Sequence, residues 1–371
     1  MNHKTKGLVL CSALAIFLAS CAPLSPKKEE TIADTEEQQE EVVEIPAMQI
    51  EDKYYKTLLP FKQSETHGLV VDNLGTKYDM EEVEDGLLRI SSQYFPTKDY
   101  FFRGGQYLPK DVVISWLSRV DKNEAGLNQA SSNTGDDEQN PIILAHITEQ
   151  NYLKRSADNK VSVEGISIGL ALNSVFYNRA GAEIQLSDAT LKAEGERLAN
   201  EIVKRMREEL DVTLPIVVGV FKQEERNSIV PGTYFMQGKA DKGKNSIGSW
   251  TMINEEYVIF PKSNTEEKYR DLNMKMNNFK QDVDKFFPSF VNVIGKGFYV
   301  DGDLQKLTIE MPIQFFGTSE TVGFTQHVTG LIVQHFSSSN VEVNIHTING
   351  PEALILKKPN EEEPFVHLYR Y

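Results

Sequence analysis

The chain has 371 residues, of which 40% are hydrophobic and 25% charged, and its formal net charge is −15. This is enough apolar sequence for one large domain or two modest ones. An acidic surface repels nucleic-acid phosphates and anionic lipid head groups. The composition therefore disfavours a nucleic-acid partner, and attachment to a membrane needs something other than charge.

The chain contains two cysteines, Cys11 and Cys21. Cys11 lies inside an apolar N-terminal run, so cleavage before Cys21 leaves one cysteine in the mature chain. A disulfide, a cysteine zinc cluster and a cysteine nucleophile are then excluded. The histidines have neither H-x-x-x-H nor H-E-x-x-H spacing. We predict neither a metal nor a cofactor.

The N-terminus has the pattern of a lipoprotein signal peptide. Lys4 and Lys6 precede the apolar run at residues 7–18, which is shorter than the ~20 residues that a membrane-spanning helix needs and is typical of a signal peptide. The lipobox follows at once, and it consists of Leu18, Ala19, Ser20 and Cys21. We predict cleavage before Cys21 by lipoprotein-processing enzymes and attachment of diacylglycerol and palmitate to Cys21. Several acyl chains anchor a protein stably to a membrane, here on the extracytoplasmic face.

Residues 21–50 are rich in glutamate and also contain Pro23, Pro26 and Pro46. Without a regular apolar pattern, such a segment does not bury enough surface to offset the entropy of ordering. The segment is predicted to be a disordered acidic tether between the membrane and the folded domain.

The folded part begins near residue 51. Helical spacing of apolar residues over 78–95 and a helix start at 109–111 predict an N-terminal subdomain at residues 51–140. It ends in a polar loop at 128–141, where apolar residues are almost absent.

The remainder repeats one pattern. Strand-like residues 160–177, a helical stretch at 187–210 and a buried-type strand at 214–221 form the first unit. Residues 304–316, 319–336 and 341–348 repeat this order, either through an internal duplication or because strand–helix–strand is the commonest α/β unit. We predict an α+β fold with mixed or antiparallel sheets, helices packed on one face, and two halves at residues 141–262 and 263–371.

Gly165, Ser167 and Gly169 form a G-x-S-x-G motif, which is typical of the nucleophile of serine hydrolases. That motif requires a helix directly after the serine, whereas residues 170–177 have the pattern of a continuing strand. A glycine-flanked bent strand is therefore favoured. A lipid-anchored serine hydrolase using Ser167 is the alternative, with an acid at Asp188 or Asp211 and a base at His327, His335 or His346.

Residues 238–244 resemble a P-loop, but Asn245 replaces the Ser or Thr that would bind magnesium and a strand pattern follows. This segment is predicted to be a hairpin loop.

The chain resembles the CamS family of Gram-positive lipoproteins, precursors of the sex pheromone cAM373. The resemblance rests on four segments in the same order along the chain: the lipobox, residues 54–61, residues 104–108 and residues 116–119. The two strand–helix–strand units are also similar. The resemblance covers nearly the whole chain.

The resemblance implies that the released signal peptide is trimmed to a short hydrophobic peptide close to Ala-Ile-Phe-Ile-Leu-Ala-Ser, and that enterococci carrying a responsive plasmid sense this peptide. The matching residues here are Ala15, Ile16, Phe17, Leu18, Ala19 and Ser20, with one isoleucine missing. The family implies no catalytic residue. The folded domain is thus predicted to be a non-enzymatic binding or envelope accessory module, with an unidentified ligand or envelope protein as its partner.

Overall fold

A computed structural model gives the architecture. The residues that it describes are 29–32, 41–46, 51–66, 69, 79–131, 140–157, 160–178, 181–287, 292–314 and 317–369. Within these residues, no helix combines the length and the apolar composition that crossing a membrane requires.

Within the described residues, nine strands form the first sheet. They are β1 (Glu29–Ile32), β2 (Glu41–Glu44), β3 (Lys56–Thr57), β4 (Phe101–Gly104), β5 (Leu144–Arg155), β6 (Lys160–Asn173), β9 (Ile216–Gln223), β10 (Thr233–Ala240) and β11 (Trp250–Met252). The main order is β11-β10-β9-β6-β5-β4-β3, and β1 joins β6 and β2 beside this path. A separate hairpin consists of β7 (Val175–Tyr177) and β8 (Glu183–Gln185).

In the part of the chain that the structure describes, six strands form the second sheet, in the order β12 to β17. They are β12 (Glu255–Phe260), β13 (Ile294–Val300), β14 (Asp303–Pro312), β15 (Val341–Thr347), β16 (Gly350–Lys357) and β17 (Phe365–Leu368). The helices are α1 (Met80–Ser91), α2 (Lys110–Leu117), α3 (Asp188–Glu208), α4 (Arg270–Asp284) and α5 (Thr318–His335).

The two predicted strand–helix–strand units are confirmed. β6 and β9 pair in parallel with α3 between them, and β14 and β15 pair in parallel with α5 between them. The similarity extends further: β4-α2-β5-β6-α3-β9-β10-β11 and β12-α4-β13-β14-α5-β15-β16-β17 have the same strand order. Every neighbouring pair also has the same orientation in both series. The topology therefore supports a duplication of the whole unit, with the β7–β8 hairpin inserted into the first copy.

Local sequence explains the long helix α3. The Ser187 side chain accepts a hydrogen bond from the Thr190 amide and so caps the helix N-terminus. Apolar side chains at helical spacing face the sheet and are buried; they are Leu191, Leu198, Ile202, Val203 and Met206. They pack with α2 and with one face of β6 and β9 in a single core.

The α+β class with mixed sheets is confirmed, and the second sheet carries its helices α4 and α5 on one face. The first sheet differs because α1 covers its other face. Val83, Leu87 and Ile90 of α1 pack there against Val217 and Phe221 of β9. β6 and β9 are consequently buried on both sides, as the central strands of parallel sheets commonly are.

Two predicted boundaries differ from the structure. Residues 51–140 do not form a separate sheet, because β4 pairs with β5 within the first sheet. The change from the first sheet to the second falls between β11 and β12, at residues 253–254, rather than after residue 262. A short hydrogen-bonded strand such as β4 has too little pattern of its own to reveal which sheet it joins.

Within residues 21–50, for which the sequence predicts a disordered tether, the structure has the two short strands β1 and β2. They pair with each other as antiparallel strands, and β1 also pairs in parallel with β6. Val43 of β2 is buried and belongs to a core cluster with Leu58, Leu153 and Val161. An edge strand needs few apolar side chains when the backbone hydrogen bonds of an existing sheet stabilise it.

Candidate ligand-binding cavity

A cavity of about 350 Å³ opens between α1, the β4–β5 edge of the first sheet and the segment at residues 61–66. Its wall combines apolar and polar side chains and consists of Phe61, Gln63, Ser64, Thr66, Met80, Glu84, Phe102, Gly104, His146, Thr148, Glu149 and Gln150. Cavities of this size with a few polar groups are the usual sites of small ligands. We therefore take this cavity as the candidate functional site.

His146 lies on β5 and contributes a buried imidazole to the cavity wall, with a relative exposure of 5%. Burial lowers the pKa of His146 to about 4. The imidazole is therefore neutral at pH 7, and one ring nitrogen is a donor while the other is an acceptor.

Glu149 stands three residues further along the same strand and is also buried. Its carboxylate accepts hydrogen bonds from the backbone amides of Gln106, Tyr107 and Leu108, at 2.8–3.1 Å, and from the Asn151 side chain at 2.6 Å. Burial raises the pKa of Glu149, and these four donors act in the opposite direction by stabilising the charged form.

The turn before α2 is shaped around this carboxylate. Gly105 follows β4, and a Cβ atom there would lie 2.4 Å from the Cβ of Glu149. Because such a contact is sterically excluded, glycine is needed for the amides that follow to reach the Glu149 oxygens. This region, at residues 104–108, is part of the sequence that carries the family resemblance.

Gln150 connects the cavity wall to α1. Its side-chain amide donates to the backbone oxygen of Glu84 at 3.0 Å, and its carbonyl accepts from the Tyr152 hydroxyl at 2.8 Å. Tyr152 in turn stacks on Phe95, with ring centroids 4.7 Å apart. The α1 side of the cavity is therefore held at a set distance from the sheet.

The structure does not support Ser167 as a nucleophile. Ser167 lies inside β6 rather than at a strand end, has no exposed surface, and its hydroxyl lies 2.5 Å from that of Ser91 in α1. Cβ atoms at Gly165 and Gly169 would clash with the ring of Phe95, at 2.2 Å, and with the hydroxyl of Tyr234, at 2.6 Å. The two glycines accommodate aromatic side chains, which explains the motif without catalysis.

The candidate bases lie in the layer of the second sheet. His327 and His335 contact Asp282 of α4, and His346 lies 3.5 Å from Glu310. Ser167 belongs to the first sheet, and the described contacts do not bring it together with any of these histidines. In the part of the chain that the structure describes, no group of three or more His, Cys, Asp or Glu side chains has a geometry suited to a metal ion.

The remaining predicted site residues lie outside the described residues. They are the lipid attachment site Cys21, the other lipobox residues Leu18, Ala19 and Ser20, and the rest of the candidate pheromone segment, Ala15, Ile16 and Phe17. Residues 238–240 are the end of β10 and residues 241–244 begin its connection to the antiparallel strand β11, so the predicted hairpin is confirmed there.

Comparison with known proteins identifies the family. The family model described as CamS sex pheromone cAM373 precursor matches residues 61–363. The chain belongs to the CamS family. A similar solved structure is that of the sex pheromone precursor from Lactobacillus salivarius subsp. salivarius. It is 27% identical with a TM-score of 0.80, and the alignment covers 88% of this chain and 99% of that one.

A second similar structure is that of the C-terminal domain of the sex pheromone staph-cAM373 precursor from Staphylococcus aureus. It is 31% identical with a TM-score of 0.67, and the alignment covers 80% of this chain and 98% of that domain. No protein with a curated description matches this chain.

Sequence reasoning missed His146 and Glu149. Both lie on β5, and for this region the sequence predicts only a strand at residues 142–148. The available signal was the placement of charged or polar residues in an otherwise apolar strand, since a buried carboxylate needs several donors. The position of the donors, in a turn more than 40 residues earlier, is a tertiary feature.

Proposed function

We propose that this protein is a lipid-anchored lipoprotein on the extracytoplasmic face of a Gram-positive cell membrane, and that its folded body binds a small ligand in the cavity beside β5. The observation that carries the binding role is the cavity wall, where a buried neutral imidazole and several amides and hydroxyls stand beside apolar side chains. Such a mixture fits orientation of a ligand by a few polar contacts.

The anchor is supported by the lipobox at residues 18–21 and by a preceding apolar run that is too short to cross a membrane. Replacing Cys21 with Ala is expected to abolish labelling by radioactive palmitate and to leave an unprocessed or released protein. Cys11→Ala is the matched control, and we expect it to be labelled like the wild type. Equal labelling of Cys21→Ala and wild type would refute the anchor.

The binding role is tested by filling the cavity. Thr148 lines it, whereas Thr308 is half-buried on β14 of the second sheet. A thermal-shift screen of the full chain with small molecules should yield compounds that stabilise wild type and Thr308→Phe but not Thr148→Phe. If every stabilising compound acts equally on both variants, or none stabilises the wild type, the cavity is not a binding site.

The body could instead contact an envelope protein. A pull-down from envelope extract with wild type and Thr148→Phe separates the two cases. A single stoichiometric protein partner retained by Thr148→Phe would favour an accessory module that does not use this cavity.

We further propose that the cleaved signal peptide yields a short hydrophobic signalling peptide. The description of the matching family and the sequence of residues 15–20 support this role. Mass spectrometry of the culture medium is expected to detect a peptide ending at Ser20, and its amount should fall in Cys21→Ala cells because processing is blocked. A synthetic peptide of residues 15–20 should induce a response in plasmid-carrying enterococci that a scrambled peptide does not. Absence of both results would contradict the proposal.

A further inference from the structure

The strand β17 lies at an open edge of the second sheet. It pairs with β16 on one side, and among the described residues no strand pairs with its other side. The Tyr369 amide donates to the Glu352 oxygen of β16 at 3.1 Å. Because the backbone groups of successive residues alternate in direction along an antiparallel strand, those of Val366 and Leu368 point away from β16. β17 therefore presents a row of backbone donors and acceptors at the free edge.

The side chains of this edge are apolar or aromatic and exposed. Phe365, Val366 and Tyr369 have relative exposures of 58%, 40% and 47%, and His367 is also exposed. Soluble proteins usually protect such an edge with a lysine, a proline or a β-bulge. β17 contains neither lysine nor proline, and its register with β16 is continuous. An unprotected edge of this kind is suited to pairing with another strand.

A second copy of β17 fits this edge. If two copies pair as antiparallel strands through the outward backbone groups, Val366 of each copy lies opposite Leu368 of the other. His367 then lies opposite the same residue of the other copy, on the twofold axis. The rings of His367 and Tyr369 share one face, 4.8 Å apart. On this face Phe365 lies opposite Tyr369 of the other copy, and aromatic pairs across strands stabilise a sheet. The edge is thus complementary to itself on both faces.

The charges flanking β17 favour the antiparallel order. Glu361, Glu362 and Glu363 precede the strand, and Arg370 follows it along the chain. Antiparallel pairing brings the acidic run of one copy towards the basic end of the other. It also separates the two acidic runs by about eight residues of strand, or roughly 26 Å, which exceeds the screening length of about 8 Å at physiological ionic strength. Parallel pairing would place the two acidic runs side by side.

The helices leave room for this arrangement. α5 packs against β16, the neighbour of β17. In the joined sheet, β16 and its copy are three strand spacings apart, or about 14 Å. Packed helix axes need only about 8–10 Å, so the two copies of α5 do not collide.

We propose that this protein forms a symmetric dimer in which two β17 strands pair and join six strands from each copy into one continuous sheet. This inference is independent of the ligand cavity, which lies at the first sheet. One short strand pair is small for a protein interface, so the association depends on concentration. Attachment of both copies to the same membrane, as proposed above, raises their effective concentration.

Disulfide cross-linking in membranes that contain the full chain tests the register. Residues opposite each other in a non-hydrogen-bonded antiparallel pair have Cα atoms about 4.5 Å apart, within the range that a disulfide spans. His367→Cys is therefore expected to form a covalent dimer when copper phenanthroline catalyses oxidation of the two thiols by oxygen. The double variant Phe365→Cys/Tyr369→Cys is expected to do the same. Denaturing gels without reductant measure the dimer.

Phe365→Cys alone is the matched control. It lies on the same strand, but its two copies are about four residues, or roughly 13 Å, apart along the strand direction, which is too far for a disulfide. We expect a dimer yield roughly tenfold lower than that of His367→Cys. The wild type, whose cysteines are Cys11 and Cys21, reports any cross-link through other thiols. Absence of the His367→Cys dimer, or an equal yield from Phe365→Cys, would overturn the proposal.

A lysine at the edge gives a second test. His367→Lys places two positive charges opposite each other and is expected to lower the dimer yield of Phe365→Cys/Tyr369→Cys roughly fivefold. Ile348→Lys is the control, because Ile348 is fully exposed in the turn between β15 and β16, and we expect it to leave the yield unchanged. Equal yields with both lysine variants would show that the cross-link does not arise from paired β17 strands and would overturn the proposal.

Discussion

The two sheets share one topology but differ in what covers the face opposite their paired helices. In the first sheet that face is apolar at Val217 and Phe221 and is buried under α1. In the second sheet the corresponding positions of β14 and β15 include Thr308, Glu310 and Glu342, which are only partly buried. The same strand topology is thus buried on both faces in the first sheet and partly exposed to solvent on one face in the second. The side chains on that face account for the difference.

The helix α1 also reaches the second sheet. Arg89 pairs with Glu82 of its own helix at 2.5 Å and with Glu255 of β12 at 3.0 Å, and its guanidinium lies 4.7 Å from the ring centre of Phe298. The Tyr257 hydroxyl donates to Glu82 at 2.5 Å. The helix α1, which covers the first sheet, therefore also connects the two halves.

The largest expected effect is at the buried side of α1. Leu87 has no exposed surface, so Leu87→Ala should lower the free energy of unfolding by about 4 kcal/mol through lost burial and an unfilled cavity. Leu356→Ala, at a 37% exposed position on β16 of the second sheet, should cost less than about 1 kcal/mol. Chemical denaturation of both variants measures the two changes in the free energy of unfolding. Equal changes would contradict the conclusion that this face is buried in the first sheet and partly exposed in the second.

The next effect concerns histidines in the two halves. Burial lowers the pKa of His146 from 6.5 to about 4, so the unfolded chain binds a proton over this interval while the folded chain does not. The contribution of this group to the free energy of unfolding is therefore fully present above pH 6.5. It is lost as the pH decreases towards 4, which lowers the free energy of unfolding by about 3 kcal/mol.

The variant His146→Gln is expected to remove this part of the pH dependence. His346→Gln, at a partly exposed side chain on β15, should leave the dependence as in the wild type. Denaturation at several pH values between 4 and 7 provides the test, and an unchanged slope in His146→Gln would contradict the buried neutral imidazole.

A smaller effect is expected for the contact between the halves. Arg89→Leu leaves the carboxylates of Glu82 and Glu255 without their shared cation, and because the arginine is one-third exposed we expect a loss of about 2 kcal/mol. Adding Glu82→Gln should recover part of this loss by removing one uncompensated charge. If Arg89→Leu unfolds at the wild-type denaturant concentration, the network does not stabilise the contact.

The smallest expected effect is at corresponding positions of β6 and β14. Ser167→Ala removes a buried hydroxyl–hydroxyl hydrogen bond with Ser91 and should cost about 1 kcal/mol. Thr308→Ala, at the half-buried counterpart on the second sheet, should change stability by less than about 0.5 kcal/mol. A fluorophosphonate probe should label neither wild type nor Ser167→Ala. Labelling of the wild type at Ser167 would support the hydrolase alternative.

Much of the fold could be predicted because its signals are local. The cap at Ser187 and the apolar spacing of α3 are properties of a short segment, as is the alternation in β15. The strands β1 and β2 could not be predicted in this way, because their order depends on pairing with β6, far along the chain. The pairing of β4 with β5 could not be predicted either, since a four-residue strand has little pattern of its own.

By itself, the sequence determined the acidic character, the lipobox with its prediction of an anchor at Cys21, and the repeated strand–helix–strand order. Each depends on residues that are neighbours along the chain. Only the tertiary structure decided that Ser167 is a core residue under α1, and that three amides before α2 surround Glu149. It also brought His146, Glu84 and Phe61 to one cavity. Burial and hydrogen bonding between distant segments set the chemistry of these side chains, and local periodicity carries no information about such contacts.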